Sequence, residues 1–394
     1  MSYANHAGKP IDIAVFGASG FTGRLVAEYL AERHPPDGAI TWAMVGRSAD
    51  KLAAVRDEIG APAETPLLIA DAADPASLKA VAAQAKVVLT TVGPYQLYGE
   101  PLVKICAETG TDYVDLCGEP AWMRQMIDAY EGAAKASGAR IVFSCGFDSI
   151  PFDLGVFYLQ EQAKARLGAP LGTIDCRVRQ MKGGFSGGTA ASLGATMAAA
   201  AKDPSILALL KSPFALAPGF EGPKQDPGAK PRYDEALGSW LTSFIMAPIN
   251  TKNVHRSNFL AGHPYGADFQ YSEMMMTGPG AEGEAAAAHV AASNPLAAKD
   301  APKPGEGPSK EERESGLYDI LFLGSGAAGS LTACVKGDKD PGYGSTSKMI
   351  SEAALCLVDA PLATSGGIWT PAPALGAALI ERLEANAGLS FTLE

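Results

Sequence analysis

Charged residues make up only 19% of this 394-residue chain. No uninterrupted apolar run reaches the roughly 18 residues needed to span a bilayer, so a transmembrane helix is not expected. Positive charge is in deficit: 32 Lys and Arg stand against 43 Asp and Glu, a net charge of −11. With no basic stripe to meet a phosphate backbone, nucleic acid is not an expected partner. The six cysteines (Cys106, Cys117, Cys145, Cys176, Cys334, Cys356) form no Cys-x-x-Cys pair and are too irregularly spaced for a disulfide framework. The five histidines (His6, His34, His255, His263, His289) form neither His-x-x-x-His nor His-Glu-x-x-His. No metal site is read from them, and reduced, buried thiols are expected. Met1 to Pro10 is polar and lacks an apolar signal region. A cytoplasmic location is therefore expected, with contact to the inner membrane at most peripheral.

What is present is globular. Hydrophobic residues reach 47%, enough for a large core, and the length suggests two domains. The first part alternates short apolar runs with helical spacing. Strands are expected at Ile11–Phe16, Ile40–Val45, Leu67–Ala70, Val87–Val92, Tyr113–Leu116 and Arg140–Ser144. Helices are expected over Arg24–Arg33, Ser48–Ile59, Gly99–Thr109 and Ala121–Ser137. Such alternation implies right-handed crossovers and a Rossmann-type parallel sheet, an α/β fold, over about the first 146 residues. Beyond Gly146 the pattern changes to an α+β texture. Strands fit Ile174–Lys182, Phe269–Thr277, Leu317–Leu323 and Leu331–Val335, the last two paired antiparallel around Gly324–Gly329. Gly188–Leu210 reads as helical, Pro213–Pro231 as a loop, and Ala281–Gly316 as a mobile insertion or long loop. Helices at Thr346–Leu357 and Pro373–Ala387, joined by Ser365-Gly366-Gly367, close the chain. The domains expected are 1–146, an inserted 147–344, and 345–394 returning to the first.

Gly17-x-x-Gly20-x-x-Gly23 follows a strand and opens a helix. Gly17 permits a sharp turn, Gly20 lets the backbone approach a pyrophosphate, and Gly23 allows close helix–strand packing. Ser19 and Thr22 add hydroxyls, and Phe21 lies between them. At the end of the second strand, Arg47-Ser48 stands where an NAD-binding fold carries an acid for the ribose 2′-hydroxyl. A guanidinium beside a hydroxyl suits a 2′-phosphate, which favours NADP(H). Asp71, after the third strand, is placed near the adenine edge. Thr91, Gly93 and Pro94 leave the fourth strand at the sheet's carboxyl edge, where they would border the nicotinamide ribose.

Candidates for the chemistry are Tyr95, Tyr98, Glu119 and Asp148, polar groups at or just beyond strand ends. Each could instead fix a turn or cap a helix. The chain contains no Tyr-x-x-x-Lys, so the proton relay of short-chain dehydrogenases is not available. Asn250 to Ser257 is a dense polar cluster that either lines a pocket or forms a self-satisfied loop.

Val15-Phe16-Gly17-Ala18-Ser19-Gly20-Phe21-Thr22-Gly23, Val92-Gly93-Pro94-Tyr95, Tyr113-Val114-Asp115-Leu116-Cys117-Gly118-Glu119 and Gly146-Phe147-Asp148-Ser149-Ile150-Pro151 resemble the saccharopine dehydrogenase-like oxidoreductases. Ser186-Gly187-Gly188-Thr189, Arg256-Ser257-Asn258, Tyr265 to Tyr271 and Gly366 to Pro371 are similar to its trans-acting enoyl reductase branch. The resemblance spans Ile11 to about Leu389. It implies an NADP-binding Rossmann domain, an inserted α+β domain, and reduction of a carbon–carbon double bond on a lipid or polyketide chain. The partner it implies is a polyketide synthase or lipid-synthesis enzyme holding that chain; a homodimer is also considered.

Two further readings stand beside that one. A saccharopine-type C–N oxidoreductase would want Arg side chains converging on carboxylates, and Arg177 and Arg179 could lie on one strand face. A non-catalytic NADPH-binding adaptor associated with lipid would bind the cofactor without turnover. Phe214, Leu216, Phe220, Trp240, Leu241, Phe244, Ile245 and Met246, with Met274, Met275 and Met276, suit an apolar substrate or a core. The loop Ser212–Phe220 is the place expected for any membrane contact.

Overall fold

The computed structural model describes residues 4–35, 38–183, 187–293 and 307–394. Strands β1 (Ile11–Phe16), β2 (Trp42–Gly46), β3 (Leu67–Ile69), β4 (Ala85–Thr90), β5 (Asp112–Val114) and β6 (Arg140–Val142) come first, with helices between them. There follow β7 (Thr173–Lys182), β8 (Arg232–Asp234), β9 (Ser239–Ser243), β10 (Gln270–Gly278), β11 (Leu317–Gly326) and β12 (Gly329–Gly337). The last two are β13 (Gly367–Trp369) and β14 (Leu389–Leu393).

Every residue of β1 is buried, as a parallel strand covered by helices on both faces must be. The first sheet runs β13-β6-β5-β4-β1-β2-β3, parallel throughout. Its order reverses between β1 and β4, which opens a crevice at the carboxyl edge of those strands. The second sheet runs β14-β12-β11-β7-β10-β9-β8 and is antiparallel except where β10 lies parallel to β7. The expected hairpin is present, with Gly326 opposite Gly329. All six cysteines are free and buried.

The tail serves both sheets. Gly367–Trp369, expected as part of a connection, adds β13 to the first sheet beside β6. Leu389–Leu393 adds β14 to the second beside β12. Ahead of both, the buried face of helix Thr346–Asp359 covers the first sheet.

Other expectations are corrected. The helical stretch 188–210 breaks at Asp203, whose carboxylate accepts from Ser205 N and caps a new helix, Pro204–Lys211. A proline at the first helical position makes that break natural. Within 281–316, Gly280–Ala292 is a helix and Lys310–Glu314 a short one closed by a Ser309–Glu312 capping box; residues 294–306 lie outside the described residues, as does Ser186 of the 186–189 motif. Helix Ile150–Leu167 was not anticipated.

Asn250 to Ser257 is no loop: it lies inside helix Ala247–Leu260. Several of its buried polar side chains bond to groups distant in the chain. Arg256 donates to the carbonyls of Leu216 (2.6 Å) and Ile368 (2.5 Å), Asn253 bonds Ser149, and Ser257 meets Thr370 at 2.6 Å.

At the opposite, amino edge of the first sheet, Asp112 accepts from Arg140 Nε (2.9 Å), Arg140 N (2.8 Å), His6 Nε2 (2.9 Å) and Asn5 Nδ2 (3.2 Å). This buried cluster ties the leading segment to β5 and β6.

Candidate active site

The turn after β1 is dictated by glycine. Gly17 has φ +92°, and a Cβ there would stand 2.7 Å from Val92 Cγ2. A Cβ on Gly23 would lie 2.1 Å from the Gly17 carbonyl oxygen, so this contact admits hydrogen alone. Helix Phe21–Arg33 begins at Gly20 with no side-chain cap. Its first N–H groups are thus left for an anion, with the positive end of the helix dipole behind them.

This loop opens into a cavity of about 1090 Å³ that runs from the first sheet's carboxyl edge to the second domain. Gly17, Ser19, Gly20, Phe21 and Thr22 line one end with Arg47 and Asp71; Thr91, Gly93, Tyr95, Tyr98 and Asp148 line the middle. Gly23 lies beneath the loop. Ser48 serves as a helix cap, its hydroxyl accepting from Lys51 N at 3.4 Å. Pro94 precedes the short helix Tyr95–Tyr98 as its cap residue. Arg47 is exposed and, among the described residues, makes no ion pair. Asp71 Oδ1 accepts from Ala73 N at 2.9 Å, which shapes its own turn.

Glu119 is an orienting group. Its two carboxylate oxygens accept from Tyr95 N and Gln96 N, each at 2.8 Å, and so cap helix Tyr95–Tyr98. The Tyr95 ring forms cavity wall, but its hydroxyl donates to the Thr90 carbonyl (3.2 Å) and accepts from Leu116 N (3.0 Å). Burial pushes that phenol well above its ordinary pKa. Tyr98 lies at the cavity mouth, 48% exposed.

Asp148 sits in the turn after β6. The cavity walls remove its carboxyl from bulk water, and this desolvation pushes its pKa up to about 6. The turn is held by Thr346, whose hydroxyl accepts from Phe147 N at 3.0 Å and donates to the Pro341 carbonyl at 2.8 Å. Pro341, Gly342 and Tyr343 close the cavity beside Phe21, with the Tyr343 ring edge-on to Phe21 at 4.7 Å.

Sequence reasoning missed Ser144, Thr346, Tyr343 and Asp115. Asp115 accepts from Cys117 N (2.9 Å), Ser144 N (2.8 Å) and Tyr113 Oη (2.9 Å), bracing the loops after β5 and β6. Burial lifts it to about 7. The positive φ of Ser144, 61°, has no mark in a single sequence.

The wall from the second domain is mostly apolar, with Phe244, Ile245, Met246, Leu207 and Leu210 beside Ser192, Thr196 and Lys211. Others from the expected apolar set, Leu216, Leu241 and Met274, are core. In the Ser212–Phe220 loop Leu216 is buried, and Phe214 packs on Phe220 (5.3 Å) and His255 (4.7 Å), so this apolar surface turns inward. Arg177 pairs with Asp175 at 3.0 Å, and Arg179 with Asp319 (2.8 Å) and Glu394 (2.6 Å). Neither lines the cavity. Among the described residues no helix is long and apolar enough to cross a membrane.

The residues present fit a phosphate-bearing dinucleotide: a cradle closed to any Cβ, an uncapped helix start, and a guanidinium without an ion-pair partner. Residues 13–142 match the saccharopine dehydrogenase NADP binding domain. Fold and site together define an NADP-dependent oxidoreductase. A Mycobacterium tuberculosis protein provisionally named a trans-acting enoyl reductase is 44% identical, with 97% of each chain covered. The trans-acting enoyl reductase of Mycobacterium bovis is 37% identical, with 96% of each covered. Apo saccharopine dehydrogenase (L-Glu forming) of Saccharomyces cerevisiae shares the fold, with a TM-score of 0.57 at 11% identity over 98% of this chain and 100% of that one. The chain belongs to the trans-acting enoyl reductase family, within the saccharopine dehydrogenase-like oxidoreductases.

Proposed function

We propose that this protein reduces an activated carbon–carbon double bond on a lipid or polyketide-type acyl chain presented by a separate carrier or synthase. One observation carries the choice of substrate. Among the described residues, the cations lining the cavity are Arg47, at the glycine-loop end, and Lys211, and the second-domain wall is mostly apolar. A saccharopine-type substrate carries several carboxylates and needs converging cations, whereas Arg177 and Arg179 are committed to acids elsewhere. The adaptor reading has no comparable support, since an adaptor has no use for an acid such as Asp148 facing the cavity.

Gly17, Ser19, Gly20, Phe21, Thr22 and Gly23 would hold the pyrophosphate end of NADPH, Arg47 the 2′-phosphate, Asp71 the adenine side, and Thr91 and Gly93 the nicotinamide ribose. Ser48 and Pro94 would act by fixing the adjoining backbone. Bound NADPH supplies the hydride. Asp148, whose proton burial retains to higher pH than an ordinary carboxyl does, delivers the proton to the α-carbon from its protonated form. Tyr98 donates a hydrogen bond to the enolate oxygen as charge builds there. Tyr95 holds the loop on which Tyr98 is carried. Residues 1–146 bind the cofactor and 147–344 the acyl chain, and 345–394 fastens the Asp148 turn through Thr346.

The test is NADPH oxidation with a panel of conjugated enoyl thioesters and, separately, with lysine semialdehyde plus glutamate. Turnover confined to the enoyl panel is expected; turnover confined to semialdehyde plus glutamate would sink the proposal.

A further inference from the structure

With Arg47 given to the cofactor, one cation of the cavity wall is left without a role. Lys211 ends helix Pro204–Lys211, lines the cavity from the second domain, is exposed, and makes no ion pair among the described residues. A second cation backs it. Lys252 is 3% exposed, and its Nζ donates to the carbonyls of Leu210 (2.9 Å) and Pro248 (2.8 Å), both residues of the same wall. Among the described residues no carboxylate offsets that buried charge. Burial alone acts on it, lowering its pKa to about 8, so the ammonium is mostly charged at pH 7.

The surroundings leave this charge uncancelled. Helices Tyr95–Tyr98, Gly187–Lys202 and Pro204–Lys211 all contribute to the cavity wall here and contain no Asp or Glu, although the chain carries 43. Asp203, between the last two, is spent as a helix cap on Ser205 N at 2.9 Å. In a protein of net charge −11 this wall is therefore locally positive. Its apolar neighbours Leu207, Leu210 and Ile249 keep water back, which strengthens the field felt by an anion in the cavity. The cofactor's own phosphates belong at the glycine loop and Arg47, so the anion that fits here comes from the other substrate.

We propose that Lys211 binds the phosphate of a phosphopantetheine arm, so that the acyl chain is recognised as a phosphorylated thioester. This inference rests on the proposed reduction, in which a carrier presents the chain. Such an arm joins its phosphate to the thioester through two amides and a dimethyl carbon. It needs a cation at one end and a wall of mixed character along its length. Lysine meets the first need as a point charge for phosphate. Leu207 and Leu210 offer apolar surface to the methyls, and Ser192 and Thr196 offer hydroxyls to the amides. Gln96 Nε2 donates to the Ser192 carbonyl (3.3 Å) and Thr196 Oγ1 (3.0 Å), which fixes helix Gly187–Lys202 against helix Tyr95–Tyr98. The wall is thus built across both domains before any substrate arrives.

The test fills the cofactor site with saturating NADP+ and titrates the full-length protein calorimetrically with phosphopantetheine and with pantetheine. Wild type is expected to prefer the phosphorylated probe by roughly tenfold or more. Lys211→Met should bind the two alike, and Lys211→Arg should keep the preference. NADPH affinity and melting temperature should not change in either variant, since Lys211 is exposed and unpaired. In rates, Lys211→Met should lower kcat/KM about tenfold for enoyl thioesters of phosphopantetheine and leave those of pantetheine unchanged. Enoyl thioesters on coenzyme A and on a carrier protein share the phosphate, so the substitution should slow both, and the faster of the two in wild type identifies its source. Equal or undetectable binding of the two probes by wild type, or a loss in Lys211→Met shared by the pantetheine thioester, would overturn the proposal. Phosphate-dependent binding without enoyl turnover would keep the phosphate site and sink the reduction; turnover without phosphate preference would do the reverse.

Discussion

The Tyr95 hydroxyl donates to the Thr90 carbonyl at 3.2 Å, so a side chain that looks catalytic in the sequence serves as a strut. The same oxygen accepts from Leu116 N and joins the loops after β4 and β5. Tyr95→Phe is therefore expected to lower stability by about 1–3 kcal/mol through the stranded Leu116 N–H, with turnover per folded molecule reduced less than about fivefold. Tyr98→Phe is expected to do the reverse, costing tenfold or more in kcat with an unchanged melting temperature. Thermal melts and steady-state rates on both variants decide this; a large loss of kcat in Tyr95→Phe at unchanged stability would restore Tyr95 as the donor.

Arg47→Ala should weaken NADPH at least tenfold and leave NADH nearly unaffected. A charge-assisted hydrogen bond to phosphate is worth about 1.5–3 kcal/mol, and Arg47 makes no ion pair that its loss would disturb. Fluorescence titration with both nucleotides is the check, and equal losses would contradict the 2′-phosphate assignment.

Gly23→Ala should abolish binding of both nucleotides, since the added methyl would lie 2.1 Å from the Gly17 carbonyl. The second-domain sheet does not depend on this contact, so a folded protein with no dinucleotide affinity is the expected result. Retained binding would show that the loop can relax.

Asp148→Asn should trade activity for stability. A carboxyl raised by burial from 3.8 to about 6 binds its proton more tightly when folded, so its contribution falls as pH rises through that window. Asn stays neutral. The variant should be more stable than wild type at pH 8, on the order of 3 kcal/mol, with the gain vanishing near pH 4. Turnover should drop about 100-fold or more. Denaturant melts at the two pH values, alongside rates, test both halves; a variant less stable at pH 8 would mean that the carboxylate has a partner.

Asp112→Ala tests the far edge of the sheet. Its carboxylate holds Arg140, His6 and Asn5 in a buried cluster, and removing one partner of a buried ion pair costs about 3–5 kcal/mol. The cavity lies at the opposite edge, so NADPH affinity measured below the melting transition should be retained.

The first sheet was legible because its signal is local. Six apolar runs and a glycine loop each declare themselves within ten residues, and Arg47 follows from its distance along the chain. Helix Ala247–Leu260 was not legible, because Asn253, Arg256 and Ser257 on it bond to Ser149, Leu216, Ile368 and Thr370, up to 113 positions away. Strand β13 is three residues long and exists only because β6 offers it an open edge. In the site, the loop glycines and Asp148 could be read from position after a strand. The bond from Lys252 to the Leu210 carbonyl, and the tie from Thr346 to the Asp148 turn, join segments that no periodicity connects.

The most direct measurement uses NADPH deuterated at the transferred position with a trans-2-enoyl thioester, the product being read by mass spectrometry. One deuterium on the β-carbon and one solvent-derived hydrogen on the α-carbon are expected. An enoyl thioester returned unlabelled, while the label enters the adduct of lysine semialdehyde and glutamate, would contradict this.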